Sequence, residues 1–233
     1  MREPAALSLI EKPLLRRDVL KLMAGAAALA VVASWGFPSP AFAQRKKGPT
    51  EVSLEELMKA GPLPELTLGK ADAPITVVEY ASMTCGHCAN FHNKIFPQIK
   101  EKYIDTGKVH FIMREFPLDN LAAAASMLAR CAGGDKTFPM ISALFAKQDE
   151  WAFVRGDPKP ELFKFARQAG FTQESFDKCL TDQKLLDDIV ATRTRGSDII
   201  GVSSTPTFFI NGKKLAGGSF EDFEKAFAPI LKS

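Results

Sequence analysis

The apolar and polar positions divide the chain into three kinds of segment. The first apolar run, Leu22 to Phe37, is Ala-rich, follows a stretch carrying Arg2, Lys12, Arg16, Arg17 and Lys21, and is closed by Pro38, Pro40 and Ala41-Phe42-Ala43. Further on, Ser53-Leu54-Glu55-Glu56 has the form of a capping box opening a short helix that stops before Gly61-Pro62. A short strand is expected at Glu65 to Leu68. Ile75 to Tyr80, rich in β-branched residues and preceded by Ala73-Pro74, reads as a buried strand. A helix then runs from Cys85 to about Asp105 with a kink at Pro97, and Val109 to Glu115 is the next strand. Strand, helix and strand within about 40 residues match a βαβ unit with a parallel pair.

From Leu118 to about Gly201 the period lengthens. Helical spacing recurs in the Ala-rich Leu121 to Cys131, which ends at Gly133-Gly134, and in Phe138 to Gln148, Glu161 to Ala169, Gln173 to Leu180 and about Gln183 to Ile200. These read as an inserted helical subdomain. Thr205-Pro206-Thr207-Phe208-Phe209-Ile210 is an apolar strand opened by a proline, and Asn211-Gly212 is a hairpin signal with Lys213 to Ala216 as the return strand. Gly217-Gly218 and Ser219 lead into a last amphipathic helix with Phe220, Phe223, Phe227 and Leu231 on one face.

The amino end has the layout of a secretory signal with an A-x-A cleavage site, which makes the expected mature chain begin near Gln44. Its apolar run is shorter than the roughly 20 residues that span a bilayer, so a membrane tether through an uncleaved signal is the lesser reading. Arg16-Arg17-Asp18-Val19-Leu20-Lys21 resembles a twin-arginine signal, with Leu15 and Val19 departing from that pattern, and ordinary Sec export is the other reading. The expected division is 1–43 signal, 44–62 lead-in and short helix, 63–117 with 201–233 one α/β domain, and 118–200 the helical insert. Gln44 to Thr50 reads as a flexible lead-in. The net charge of +3 includes the basic signal and Arg45-Lys46-Lys47, so the folded body is close to neutral and carries no nucleic-acid footprint.

Export changes the meaning of the four cysteines, because disulfides are chemically permitted outside the cytoplasm. Cys85-Gly86-His87-Cys88 sits where an apolar strand gives way to a helix. Unpaired N–H groups and the positive end of the helix dipole there favour thiolate over thiol at Cys85, and the thiolate is the form that attacks disulfides. Cys88, one turn in, is placed to resolve a mixed disulfide. His87 is expected to donate to the Cys85 sulfur or put positive charge beside it. Glu79, among Val77, Val78 and Tyr80, is costly to bury ionised, which suits it to proton transfer; a half-exposed strand carboxylate is the bland alternative.

Cys85-Gly86-His87-Cys88 after a strand, the proline-opened Thr205-Pro206, the Asn-Gly hairpin and the closing helix, with helices inserted between the halves, resemble the DsbA-like thiol:disulfide oxidoreductases of the thioredoxin superfamily. The resemblance covers roughly Leu63 to Leu231. It implies a thioredoxin fold, with Cys85 as exposed nucleophile and Cys88 as resolving cysteine. It makes Pro206 a cis-proline and Thr205 the backbone, and by its hydroxyl the thiol, contact beside the sulfurs, where an extended substrate pairs. It also makes Glu79 the buried acid that moves the Cys88 proton. Some DsbA-like proteins of alphaproteobacteria carry a second, non-catalytic disulfide, which by resemblance is Cys131 with Cys179; two buried free thiols are the alternative.

The activity this implies is introduction of disulfides into reduced or unfolded exported proteins in the periplasm, with reoxidation by a DsbB-like membrane thiol oxidase and no cofactor. Gly86 stands where such motifs commonly have Pro, and Cys-Gly-His-Cys is also the motif of eukaryotic protein disulfide isomerases, so an isomerase or reductase is the competing direction. Gln44 to Pro62 is too short for the dimerisation domain of periplasmic isomerases, which favours a monomeric oxidase. Two remoter readings are a metal-binding module using Cys85, Cys88 and His92, and a chaperone-like module using Phe208 and Phe209 as a peptide groove. His92 and His110 otherwise read as structural or surface residues.

Overall fold

The computed structural model describes residues 49–232. The expected signal segment and most of the lead-in lie outside the described residues. Ser53 caps α1 (Leu54–Met58) by accepting the Glu56 N–H, but the Glu56 carboxylate does not complete the capping box and pairs with Arg195 instead. Thr50, expected in the flexible lead-in, accepts the Lys214 N–H at 2.9 Å, and Val52 donates to Gly212 at the same distance. Thr50 and Val52 are therefore fastened to the sheet.

The strands are β1 (Leu66–Leu68), β2 (Ile75–Ala81), β3 (Val109–Glu115), β4 (Thr207–Ile210) and β5 (Lys213–Lys214), in the spatial order β1-β3-β2-β4-β5. β2 and β3 run parallel, as a βαβ crossover requires, and the other pairs are antiparallel. At the β4–β5 turn Asn211 and Gly212 both have positive φ, 46° and 90°, the conformation that an Asn-Gly hairpin supplies. The Asn211 side chain accepts the Thr76 N–H at 2.6 Å and donates to the Pro74 carbonyl at 3.1 Å, which ties the hairpin to the start of β2.

The crossover helix α2 covers residues 86–104 and is not the simply kinked helix expected. α-Helical stretches Gly86–Asn90 and Phe96–Ile99 alternate with π-helical turns Phe91–Ile95 and Lys100–Ile104. A proline has no N–H to give and its ring crowds the carbonyl four residues back; the wider turn just before Pro97 relieves both demands. α3 (Asn120–Ala132), α4 (Thr137–Ala146), α5 (Lys159–Gln168), α6 (Gln173–Leu180) and α7 (Gln183–Asp198) fill the interval between β3 and β4, and α8 (Phe220–Leu231) closes the fold.

The two-residue period of the strands sorts the core into two clusters. Ile75, Val77 and Ala81 of β2, Phe111 of β3 and Phe208 of β4 face a large cluster with Phe91 and Phe96 of α2 and Phe223 and Phe227 of α8. Val78, Tyr80, Ile112 and Phe209 face a smaller one with Leu57, Phe116, Ile200 and Val202. Phe208 and Phe209 are thus core side chains, 2% and 0% exposed, and cannot form the peptide groove considered above. Leu231 was expected on the buried face of α8 but is exposed at the helix end, beyond Phe227. By the same strand parity Glu79 faces α2, the helix that carries both motif cysteines.

Candidate active site

Cys85 is the N-cap of α2, with extended backbone (φ −86°, ψ 117°); its N–H reaches the Ser82 carbonyl at 3.1 Å and its carbonyl accepts the first helical bond from Ala89 at 3.0 Å. Cys85 and Cys88 are both free thiols here. Cys85 is 9% exposed, so the nucleophile is recessed rather than exposed, and Cys88 is fully buried. The recess is made by the loop before β4: the Thr205–Pro206 peptide is cis, and Cys85 Sγ lies 3.3 Å from the Thr205 carbonyl oxygen, to which its thiol form can donate. The Thr205 hydroxyl is buried without a partner of hydrogen-bond geometry, yet lies close enough to the sulfur to favour the thiolate.

The Cys85 pKa is lowered to about 5, above all because the Cys88 thiol donates to the Cys85 sulfur. Partial burial opposes this; the Thr205 hydroxyl and the backbone N–H groups of Cys88 and His87 reinforce it. His87 contributes through its backbone N–H, and the residue is exposed. Cys88 is pushed strongly upward by its own burial, by its bond to Cys85 and by the Glu79 carboxylate. One sulfur of the pair is thus held as thiolate and the other as thiol.

Glu79 is completely buried. Its Oε2 lies 2.9 Å from Nε2 of His92, whose ring stacks on Phe145 with centroids 4.4 Å apart, and its Oε1 has no partner. His92 is accordingly a buried partner of Glu79 rather than a surface residue, with its Nε2 turned to the carboxylate. His110 is also buried, on β3. Among the described residues no group of three or more His, Cys, Asp or Glu side chains is arranged to hold a metal ion. Cys131 and Cys179 join α3 to α6, with sulfurs 2.17 Å apart and Cα atoms 6.2 Å apart.

Sequence reasoning missed three contributors. Thr84 donates to Asp119 at 2.7 Å, and Asp119 caps α3 through Ala122 N–H, so one carboxylate links the motif turn to the insert. Ser82 accepts the Leu118 N–H at 3.2 Å on the same side. Gln148, in the turn after α4, donates to the Met83 carbonyl at 2.7 Å and the Cys85 carbonyl at 3.2 Å. Asp119 had a readable signal, a helix-capping residue type just before an Ala-rich run. His92, four residues after Cys88 on the same helix face, was also within reach of periodicity. Gln148 had none.

A recessed thiolate at a helix start, a buried partner thiol and a cis-proline loop beside them, all on a mixed five-stranded sheet, define a dithiol redox protein of thioredoxin architecture. The family model described as Thioredoxin matches residues 63–228, and the chain belongs to that family. It is 37% identical over 172 residues to the "Putative protein-disulfide oxidoreductase" of Rickettsia bellii, a match covering 72% of this chain and 65% of that protein. The chain spans between 60% and 68% of the length of five such rickettsial relatives. Disulfide bond formation protein D of Bacillus subtilis is 28% identical over 200 residues, 80% of this chain and 83% of that one. Among solved structures, alpha-DsbA1 of Wolbachia pipientis is similar with a TM-score of 0.70 and 35% identity, covering 77% of this chain and 96% of that chain.

Proposed function

We propose that this protein is a thiol:disulfide oxidoreductase that introduces disulfides into exported proteins. The observation that carries the reading is the asymmetric pair: a Cys85 sulfur held as thiolate by the Cys88 thiol and two backbone N–H groups, next to the Thr205 carbonyl. Stabilising the thiolate stabilises the reduced pair, and a disulfide whose reduced form is stabilised is a stronger oxidant.

In the oxidised protein a substrate thiolate attacks Cys85 Sγ; the Cys85–Cys88 bond breaks, and Cys88 leaves and takes up a proton. A second substrate thiolate then attacks the substrate sulfur of the mixed disulfide. The substrate disulfide forms and Cys85 departs as a thiolate, with two electrons passed from substrate to enzyme. Glu79 supplies the Cys88 proton and recovers it on reoxidation, which its burial on the strand face opposite α2 and its unpartnered Oε1 support. The cis-Pro206 loop pairs with the extended substrate backbone beside Cys85. The Cys131–Cys179 disulfide braces the insert. A membrane thiol oxidase of DsbB type restores the Cys85–Cys88 disulfide, and the basic, Ala-rich amino end directs the chain to the periplasm, where it acts as a monomer.

The test is a redox titration of the Cys85–Cys88 pair against glutathione, with oxidation of a reduced, unfolded substrate followed in parallel. A potential well above thioredoxin's, about −270 mV, is expected. A potential at or below that value would contradict the oxidase and favour the isomerase or reductase direction that Gly86 suggests. For Glu79, alkylation of Cys88 against pH in Glu79→Gln is the decisive profile, and an unchanged one removes the proton-transfer role.

A further inference from the structure

Besides the Asp119 and Leu118 contacts to Thr84 and Ser82, the helical insert reaches the redox motif through a buried side chain. Gln148 is 5% exposed and stands in the 3-10 turn Gln148–Glu150 that follows α4. The turn is firmly held: Ala152 N–H bonds back to the Gln148 carbonyl at 2.8 Å, and the wholly buried Trp151 donates its indole N–H to the Leu144 carbonyl at 2.8 Å. From this base the Gln148 amide crosses to the other half of the fold, where one Nε2 serves the carbonyls of Met83 and Cys85. These two carbonyls bracket the turn from which α2 starts. A Cβ on Gly86 would lie 3.9 Å from Gln148 Oε1, so the carboxamide lies over the motif itself.

We propose that Gln148 is a positioning residue for the thiol–disulfide reaction: its carboxamide clamps the Met83–Cys85 turn and thereby lets the insert set the reactivity of Cys85. The inference rests on the oxidoreductase reading above. Two physical effects act together. The clamp fixes the turn so that the N–H groups of His87 and Cys88 aim at the Cys85 sulfur, and a donor on each carbonyl offsets the negative end of a dipole close to a thiolate. The titratable groups around Cys85 are Cys88 and the exposed His87 on α2, Glu79 on β2 and, at the start of the insert, Asp119, which accepts from Thr84 within the same turn; the loop before β4 presents Ser203, Ser204 and Thr205, which do not titrate in this range. Beside Gln148, Lys147 and Glu150 are paired with each other at 2.7 Å and face outward. Asp119 is a carboxylate and meets the Thr84 hydroxyl, so the donors on the Met83 and Cys85 carbonyls are those of the Gln148 amide.

The experiment measures Cys85 thiolate ionisation, by ultraviolet absorbance and by alkylation rate against pH, in the full chain and in its Gln148→Met and Gln148→Glu variants. Met keeps the volume and loses both donors; Glu is isosteric and, when ionised, turns an acceptor toward two carbonyls. A neutral hydrogen bond lost at the turn corresponds to a fall of about threefold to tenfold in the thiolate fraction at low pH for Gln148→Met. Gln148→Glu should show a larger fall, which narrows as pH drops and the new carboxyl gains a proton to donate. If Gln148→Met fails to fold, Gln148→Glu reads the same point. Ionisation in a folded variant indistinguishable from the parent's would overturn the proposal, since a merely structural role lowers the melting temperature without moving this profile. The oxidoreductase reading fails separately, if the parent protein's disulfide does not exchange with a dithiol.

Discussion

Replacing Cys88 by alanine removes the leading cause of the low Cys85 pKa and leaves the His87 N–H and the Thr205 loop in place. A hydrogen bond to an ionised acceptor contributes about 1.5–3 kcal/mol, and about 1.4 kcal/mol is one decade of acid dissociation. From its value of about 5, the Cys85 pKa should then rise to about 6–7 in Cys88→Ala. Cys88→Ser keeps an O–H donor and should stay closer to the parent. Alkylation of Cys85 against pH reads all three. The reasoning is refuted if Cys88→Ala titrates like the parent, or if Cys88→Ser moves as far as Cys88→Ala.

The same value governs the potential. Cys85 is depressed in the folded protein, so its contribution to the stability of the reduced form is fully present above the unfolded pKa and is lost as pH falls through about 5. At pH 7 the two decades above the folded pKa amount to about 3 kcal/mol without screening. Halved for solvent screening at a sulfur that meets the surface, this leaves about 1–2 kcal/mol, on the order of 30 mV in a two-electron couple. Because Cys88 remains a thiol, reduction near neutrality takes up one proton for two electrons. The potential should therefore fall by about 30 mV per pH step above pH 5 and about 59 mV below it. A slope of about 59 mV continuing through pH 7 would show that Cys85 is not a thiolate there.

Gly196→Ala on α7 places a Cβ 2.9 Å from Tyr80 Cε1 and 3.3 Å from Phe116 Cδ2, so despite a better helix former it should destabilise by about 1–2 kcal/mol in urea melts. Removing the Cys131–Cys179 bond with a pair of serines releases a loop of sequence separation 48 and should cost about 2–4 kcal/mol, read by thermal unfolding, while Cys85 ionisation stays put. His92→Phe leaves the buried Glu79 carboxyl without its His92 partner and should destabilise by about 3–5 kcal/mol. Adding Glu79→Gln to it should recover part of that loss, and a double variant no more stable than the single would contradict a direct Glu79–His92 coupling.

The parts of this molecule that were legible in the chain are those whose cause is local. The strand Ile75–Ala81, the Asn211-Gly212 turn and the cysteine at a helix start each follow from neighbours within a few residues. The Glu79–His92 pair stands between: strand parity turns Glu79 to α2, and helical spacing puts His92 on the face of α2 that carries Cys88, but only the parallel β2–β3 crossover sets the two faces together. Gln148 lies wholly beyond such reasoning, because its partners are 63 and 65 residues away and a glutamine in a polar turn looks like any other. The same division separates what the motif does from how strongly it does it. A reactive pair needs only the local pattern, whereas the buried Glu79 beside it and the Gln148 bonds to the Met83 and Cys85 carbonyls arrive through packing. On the role proposed for Gln148, substitutions in the insert should retune the redox pair while Cys85-Gly86-His87-Cys88 itself stays unchanged.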